Sequence, residues 1–314
     1  TGPSRKESRM ALPNEQIQSA LGDMYRIFAE LPIEAQEWFV HQTCGLMERR
    51  NNTSLYSYAR FKRIYELART YGLSIENRSI LEIGAGKPLG MGLFWNLAGA
   101  GRYTSIDKFV PVNLDDLWLS RFQWLIGMNL FRPAPFEMGD LVRKDGQGYQ
   151  LNRERIDLIQ GDFDTHPFQP ESFDFIYSLA VLEHVTGIES ILKRMHHILR
   201  KGGTMIHLID LREHHTHLRT VPDKDRSIDF MKYSRDDWEK LYPPGSEHYI
   251  NRLRASDFRQ HFLAAGFEIV DFTATQSMDI TESVYADIDR AFHHYPLEDL
   301  RILAVNAVLR KRGR

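Results

Sequence analysis

The chain has 314 residues, 42% of them hydrophobic, and 40 basic residues against 42 acidic ones give a formal net charge of −2. That length and apolar content exclude a disordered chain and allow one large domain with additions or two modest ones. Acids and bases are intermixed, so no overall field attracts nucleic acid or an anionic membrane. The single cysteine, Cys44, forms no internal disulfide.

No charged-then-apolar leader and no apolar run of spanning length is seen, so the expected location is cytoplasmic, with no membrane. Thr1 to about Leu12 is polar and reads as a frayed end. After Pro13, Leu21, Met24, Tyr25 and Phe28 recur at helical spacing, as do Phe61, Ile64, Tyr65 and Leu67 later. Residues 1–75 therefore read as a helical N-terminal extension, ahead of a domain covering 76–314. The extension is either a structural cap on the sheet edge or a lid that brings Tyr56, Tyr58 and Arg60 to a ligand.

From Ser79 the pattern becomes strand, turn, helix, strand. Ile80 to Ile83 is an apolar strand that stops at Gly84 and Gly86. Glycine is needed where the backbone takes positive φ or comes close to a ligand, and the helix just beyond presents unpaired N–H groups. The third glycine, Gly90, comes four residues after Gly86, one more than in the dinucleotide fingerprint, and Glu82 stands ahead of the first. A negative charge there suits a cationic ligand better than a pyrophosphate. Met91 to Ala98 is a short apolar helix, and Tyr103 to Ile106 is a second strand ending in Asp107. An acid about 20 residues past such a turn is placed to accept two hydrogen bonds from a ribose diol; otherwise it is a routine turn residue.

Lys108 to Arg155 is an interruption longer than an ordinary crossover. Its Leu117, Trp118, Phe122, Trp124, Leu125 and Ile126 read mainly as a core helix, with a share of them walling a substrate pocket. Ile156 to Gln160 is a third strand, followed by Gly161-Asp162-Phe163. There Asp162 is placed to accept from an adenine amino group, while Phe163 offers an N–H and an apolar ring. Phe173 to Ser178 is a fourth strand. The next helix carries Ile188, Ile191, Leu192, Met195, Ile198 and Leu199 on one face and is expected to end at Lys201-Gly202-Gly203, with Gly202 as a left-handed cap. Thr204 to Ile209 is a fifth strand, ending in Asp210. Leu211 to Leu253 is polar, lacks sustained periodicity and reads as a surface insertion. Ser256 and Asp257 open a helix, Phe267 to Phe272 is a sixth strand, and Leu300 to Leu309 a seventh after a helical excursion from Ser283 to Phe292. Such alternation implies a parallel sheet covered on both faces, its strand-end acids along one rim.

Taken together, Glu82-Ile83-Gly84-Ala85-Gly86, Asp107, Gly161-Asp162-Phe163, Leu182-Glu183-His184-Val185 and Lys201-Gly202-Gly203 resemble the class I S-adenosylmethionine-dependent methyltransferases, over about Ser79 to Asp210. The resemblance implies an α/β, Rossmann-like fold: a seven-stranded, mostly parallel sheet with an antiparallel last strand and helices on both faces; to it are added a lid insertion and the insertions at about 108–155 and 211–254, the first of which departs from the family by exceeding its minimal crossover. It implies S-adenosyl-L-methionine as cofactor, with Gly84, Ala85 and Gly86 near the methionine moiety, Asp107 on the ribose and Asp162 facing adenine. Leu179 would pass near the methionine end; Glu82 and Phe163 complete the set. Lys87-Pro88-Leu89 departs from the family pattern, where a third glycine is commoner. More loosely, Ile209-Asp210-Leu211-Arg212-Glu213-His214 with Asn251-Arg252-Leu253-Arg254 looks like methyltransferases of bacterial glycan and secondary-metabolite pathways.

A sulfonium methyl is already electrophilic, so the protein has to align an incoming atom with the sulfur and exclude water. For a hydroxyl of a small molecule or glycan, a base helps, and histidine suits neutral pH. His184, after the fourth strand, and His214 or His215, after the fifth, stand at the correct rim. Glu183, His184 and one of those histidines also suggest a divalent metal, since some family members carry a metal-binding Glu-x-x-Glu-His arrangement. Ala180 stands where the first acid would be, so no metal is assigned. The alternatives are methylation of RNA or protein, against which the intermixed charge argues, a nucleotide-dependent oxidoreductase, or a non-catalytic cofactor-binding partner. No oligomeric state is assigned.

Overall fold

The computed structural model describes residues 54–86, 90–108, 138–145, 148–214, 227–246 and 249–313. In chain order these form α1 (Ser54–Thr70), β1 (Ser79–Ile83), α2 (Gly90–Leu97), β2 (Arg102–Asp107), α3 (Met138–Leu141), β3 (Val142–Asp145), β4 (Gly148–Leu151), β5 (Ile156–Gln160), β6 (Phe173–Leu179), α4 (Ile188–Ile198) and β7 (Leu199–Asp210). There follow α5 (Arg235–Leu241), α6 (Ala255–Ala264), β8 (Phe267–Ser277), α7 (Glu282–Ala286), α8 (Leu297–Leu300) and β9 (Ile302–Lys311). Three 3₁₀ turns interleave, at Leu182–His184, Asp229–Lys232 and Arg290–Phe292.

Seven strands make one sheet in the order β5-β2-β1-β6-β7-β9-β8. The pairs from β5 across to β7 are parallel, while β9 runs antiparallel to both β7 and β8. This is the expected sheet with its last strand reversed, inserted between β7 and the edge strand β8. The chain leaves β1 toward β2 and β5 on one side and returns to β6 and β7 on the other. The strand order therefore reverses between β1 and β6, and the crevice beyond their carboxyl ends is where open α/β sheets bind ligands.

Alternation along each strand divides the core. Ile80, Tyr103, Phe175 and Tyr177 pack under α1 and α2 with Phe61, Ile64, Phe94 and Trp95. Leu81, Ile83, Ile176 and Met205 pack on the opposite face under α4 and α6 with Leu192, Met195, Phe258 and Phe262. Each fully buried side chain of this size contributes about 1.5–3 kcal/mol, so both layers hold the rim that carries the polar groups.

Three sequence expectations need revision. Helix α4 ends at Ile198, where the Leu199 N–H caps onto the Met195 carbonyl, and β7 has already begun. Gly202, at φ 73°, lies inside β7, where the pairing slips between Phe173/Leu199 and Phe175/Thr204. Its left-handed backbone serves a strand irregularity, because extended pairing with β6 captures the residues that helical periodicity had claimed. The stretch from Leu211 to Leu253 is more than a surface insertion. Ile228, Phe230, Trp238 and Ile250 form a third core cluster with Ile280, Phe292 and Leu300, its partners lying far along the chain, which hides it from a local reading. Of the insertion after Lys108, residues 138–145 and 148–151 form a short helix and the β3–β4 hairpin; Leu117 to Ile126 lie outside the described residues, as do Leu21 to Phe28.

Candidate active site

The glycine turn after β1 occupies the switch point. Gly84 takes φ 72° and Gly86 φ 68°. A Cβ on Gly84 would come within 2.3 Å of the Val181 side chain, so the position needs glycine for both its backbone and its space. The Gly84 N–H donates to the Ile106 carbonyl at 3.0 Å and the Gly86 N–H to Asp107 Oδ2 at 2.7 Å, which ties the turn to the end of β2. Ala85 is buried. Asp162 lies past β5, accepts from the Asp164 N–H at 3.0 Å and pairs with Lys108 at 3.2 Å. The Asp164 N–H, and then Lys108, hold its carboxyl below the usual range. The ring of Phe163 packs into the core against Phe168 and beneath Arg194, so only its backbone faces the rim. Leu179 ends β6, and Ala180 just after it sits at φ 53°, a left-handed backbone in a residue other than glycine.

Glu82 lies one residue before the strand's end and is 1% exposed. Tyr103 Oη donates to its Oε2, as does Tyr177 Oη at 2.7 Å, and Tyr177 Oη accepts from Trp95 Nε1 at 2.8 Å. Burial raises the Glu82 carboxyl above its ordinary range; the charge of Arg60 and the two tyrosine hydrogen bonds work the other way. Of the three residues expected from the extension, Arg60 thus reaches Glu82 with its charge. Tyr58 is buried edge-on against Phe94, and the side chain of Tyr56 lies outside the described residues.

Beyond the turn, three segments distant in sequence converge. The Asn251 N–H donates to the Glu183 carbonyl at 2.7 Å, and its Nδ2 donates to the carbonyls of Leu182 at 2.8 Å and Val185 at 3.2 Å. This clamps the turn Leu182–His184. His184 Nδ1 donates to the Tyr249 carbonyl at 2.7 Å; a carbonyl only accepts, so Nδ1 carries the proton. The rings of His184 and His214 lie 4.9 Å apart. Asp210, at the end of β7, takes two hydrogen bonds from Arg212, at 2.8 and 2.6 Å, and faces His214 Nε2 at 3.6 Å. Burial works against its charge, but Arg212 and His214 hold the Asp210 carboxyl far below the usual range. Glu183 is 2% exposed; burial first and the Asp210 charge second push its carboxyl well up. Glu183, His184 and His214 each bring a ligand-type atom within 4.8 Å of the other two.

The structure thus gathers Gly84, Ala85, Gly86 and Asp107 into one cradle, with Leu179 beside it. His184 and His214 come together further along the rim, and Glu82 sits beneath the sheet surface. His215 lies outside the described residues. The sequence reading missed the clamping role of Asn251, the Tyr249 carbonyl and the hold of Asp210 and Arg212 on His214. The four-residue spacing of Asp210 and His214 is the one local signal that could have found any of these.

A family model described as a methyltransferase domain matches residues 135–207. Among solved structures, the chain is similar to an S-adenosylmethionine-dependent methyltransferase from Mesorhizobium loti at 16% identity, covering 78% of this chain and 96% of that one with a TM-score of 0.43. A SAM-dependent methyltransferase from Methanosarcina mazei matches at 16% identity, covering 80% and 99%, TM-score 0.43. The [4+2]-cyclase SpnF matches at 14% identity, covering 80% and 82%, TM-score 0.43. No helix among the described residues is long and apolar enough to cross a membrane. The methyltransferase-domain match covers residues 135–207, and the sheet order with its reversed strand β9 is that of the Rossmann-like fold which the resemblance to class I S-adenosylmethionine-dependent methyltransferases implies.

Proposed function

We propose that the enzyme transfers the methyl group of S-adenosyl-L-methionine to a hydroxyl oxygen of a small molecule or glycan. The observation that carries this reading is the His184–His214 pair, 4.9 Å apart and held at the rim past the glycine turn. Imidazoles are the groups that manage a hydroxyl proton near neutral pH, and a nitrogen or sulfur acceptor would have less need of them. In this reading Gly84, Ala85, Gly86 and Leu179 line the methionine moiety. Asp107 exchanges the Gly86 N–H for the ribose diol, Asp162 takes the adenine amino group with the Phe163 N–H nearby, and Glu82 adds negative charge behind the sulfonium. In this reading α1 (Ser54–Thr70) belongs to an extension over residues 1–75, the catalytic domain spans 76–314, and its insertions lie at about 108–155 and 211–254. The single cysteine supports a reducing, cytoplasmic setting.

The test is incubation with methyl-labelled cofactor and extracts of the source, followed by identification of the labelled product. The expected product is a methyl ether of low molecular weight or on a glycan. Label confined to RNA or protein overturns the reading.

A further inference from the structure

We infer that Glu183, His184 and His214 bind a divalent transition-metal ion, and that the acceptor hydroxyl joins it as a further ligand. The second part rests on the hydroxyl reading above; the metal site itself does not. The three ligand-type atoms lie within 4.8 Å of one another, although they come from the turn after β6 and the exit of β7, so tertiary structure makes the cluster. Each imidazole is also held from behind. His184 Nδ1 donates to the Tyr249 carbonyl at 2.7 Å, and His214 Nε2 faces Asp210 Oδ2 at 3.6 Å. A carbonyl or carboxylate on the far nitrogen is the support that metal-bound imidazoles receive, since it fixes the ring and raises its basicity. With Nδ1 on the Tyr249 carbonyl, His184 would coordinate through Nε2.

Glu183 supplies an independent observation. Its side chain is 2% exposed, and Oε2 has no hydrogen-bond partner among the described residues. Buried carboxylate oxygens are costly unless a donor or cation satisfies them.

Two imidazoles and a carboxylate form an open donor set used for Zn²⁺ and for Fe²⁺-type ions. Ligand atoms around such an ion are about 3–3.5 Å apart, inside the 4.8 Å limit within which these three lie, and the Glu183 backbone is held by Asn251. Three protein ligands leave positions for the acceptor. On coordination the hydroxyl loses its proton to solvent. The oxygen then attacks the methyl carbon, and the O–C bond forms as the S–C bond breaks, the electron pair staying on sulfur as a neutral thioether.

The test is a titration of the metal-stripped protein with Co²⁺ alone, without cofactor or acceptor, read by visible d–d absorption and calorimetry. One Co²⁺ per chain is expected. Asp210→Asn should weaken it about 10- to 100-fold, and His214→Ala and Glu183→Gln at least as much, each with its fold checked by thermal unfolding. His261→Ala, which removes a histidine of α6 outside the cluster, should bind as the wild type does. Two ligand variants are used so that misfolding of one leaves the other as the test. Absence of Co²⁺ uptake by the wild type, or wild-type affinity in both His214→Ala and Glu183→Gln, overturns the site. That failure would leave the hydroxyl reading standing, with an imidazole as base; label in RNA would defeat the hydroxyl reading and leave the metal site.

Discussion

The glycine turn can be tested by putting a methyl group into it. Gly84→Ala meets two separable obstacles. The backbone stands at φ 72°, which costs an L-residue about 1–2 kcal/mol. The new Cβ would also lie 2.3 Å from one Val181 methyl and 2.9 Å from the other, and forcing an extra methyl into a packed site costs about 1–3 kcal/mol. The single variant should therefore lose about 2–5 kcal/mol. Val181→Ala removes both clashing methyls from a half-buried side chain and by itself should cost about 1 kcal/mol or less. In the double variant the clash is gone and the backbone penalty stays, which predicts a total of about 1–3 kcal/mol and a coupling of about −1 to −3 kcal/mol. Urea unfolding of the four proteins at one pH measures the cycle, and calorimetry with S-adenosylhomocysteine measures the cradle. Affinity should fall in Gly84→Ala and recover only in part in the double variant. Additivity within about 0.5 kcal/mol would refute the geometry from which the turn's need for glycine is argued.

Three further outcomes are expected. His207 is fully buried on β7, bonded through Nδ1 to Ser178 Oγ at 2.8 Å, and burial lowers its pKa to about 3. The unfolded chain takes up that proton near pH 6.5 and the fold does not, so stability should fall by up to about 1.4 kcal/mol per unit as pH drops from about 6.5 toward 3. His207→Gln should flatten that slope by one proton in pH-dependent urea midpoints; equal slopes would defeat the reasoning. Arg254, fully buried at the start of α6, donates to the carbonyls of Leu211, Asp299, Leu300 and Ile302. Arg254→Met should cost about 3–5 kcal/mol, and Arg254→Lys part of that, because an ammonium cannot reproduce the fork; a melting temperature unchanged in Arg254→Met would contradict this. Asn251→Ala frees the carbonyls of Leu182 and Val185. It should cost about 1–3 kcal/mol of stability and raise the acceptor KM while leaving S-adenosylhomocysteine affinity nearly unchanged; an equal loss of both would place Asn251 in the donor site instead.

The sheet could be read from the sequence because its signals are local. Ser79 to Ile83 and Phe173 to Leu179 are short apolar runs bounded by turn residues, and α4 carries its buried residues at helical spacing. Boundaries went wrong where strand pairing competed with periodicity, as at Leu199 to Gly203. The third core cluster was invisible for another reason. Phe230 and Trp238 find Phe292 and Leu300 only after the chain has passed through α6 and β8, and no window of sequence contains both halves. Glu82 shows a subtler limit: its place in the motif could be read, but its enclosure by Tyr103 and Tyr177 comes from register with β2 and β6.

The halves of the site proposed for donor and acceptor differ in the same way. The cradle is made by the end of one strand and its turn, with Asp107 from the adjacent strand, so a few residues of contiguous chain carry its chemistry. The end proposed for the acceptor is made by Leu182–His184, Asp210 to His214 and Tyr249 to Asn251, which meet through backbone carbonyls and a side-chain amide. Carbonyls belong to every residue and leave no mark on composition, so such a clamp cannot be read from residue types. Because the acceptors on the turn are backbone carbonyls, Asn251 fixes the positions of Glu183 and His184 without depending on the side chains of Leu182 and Val185.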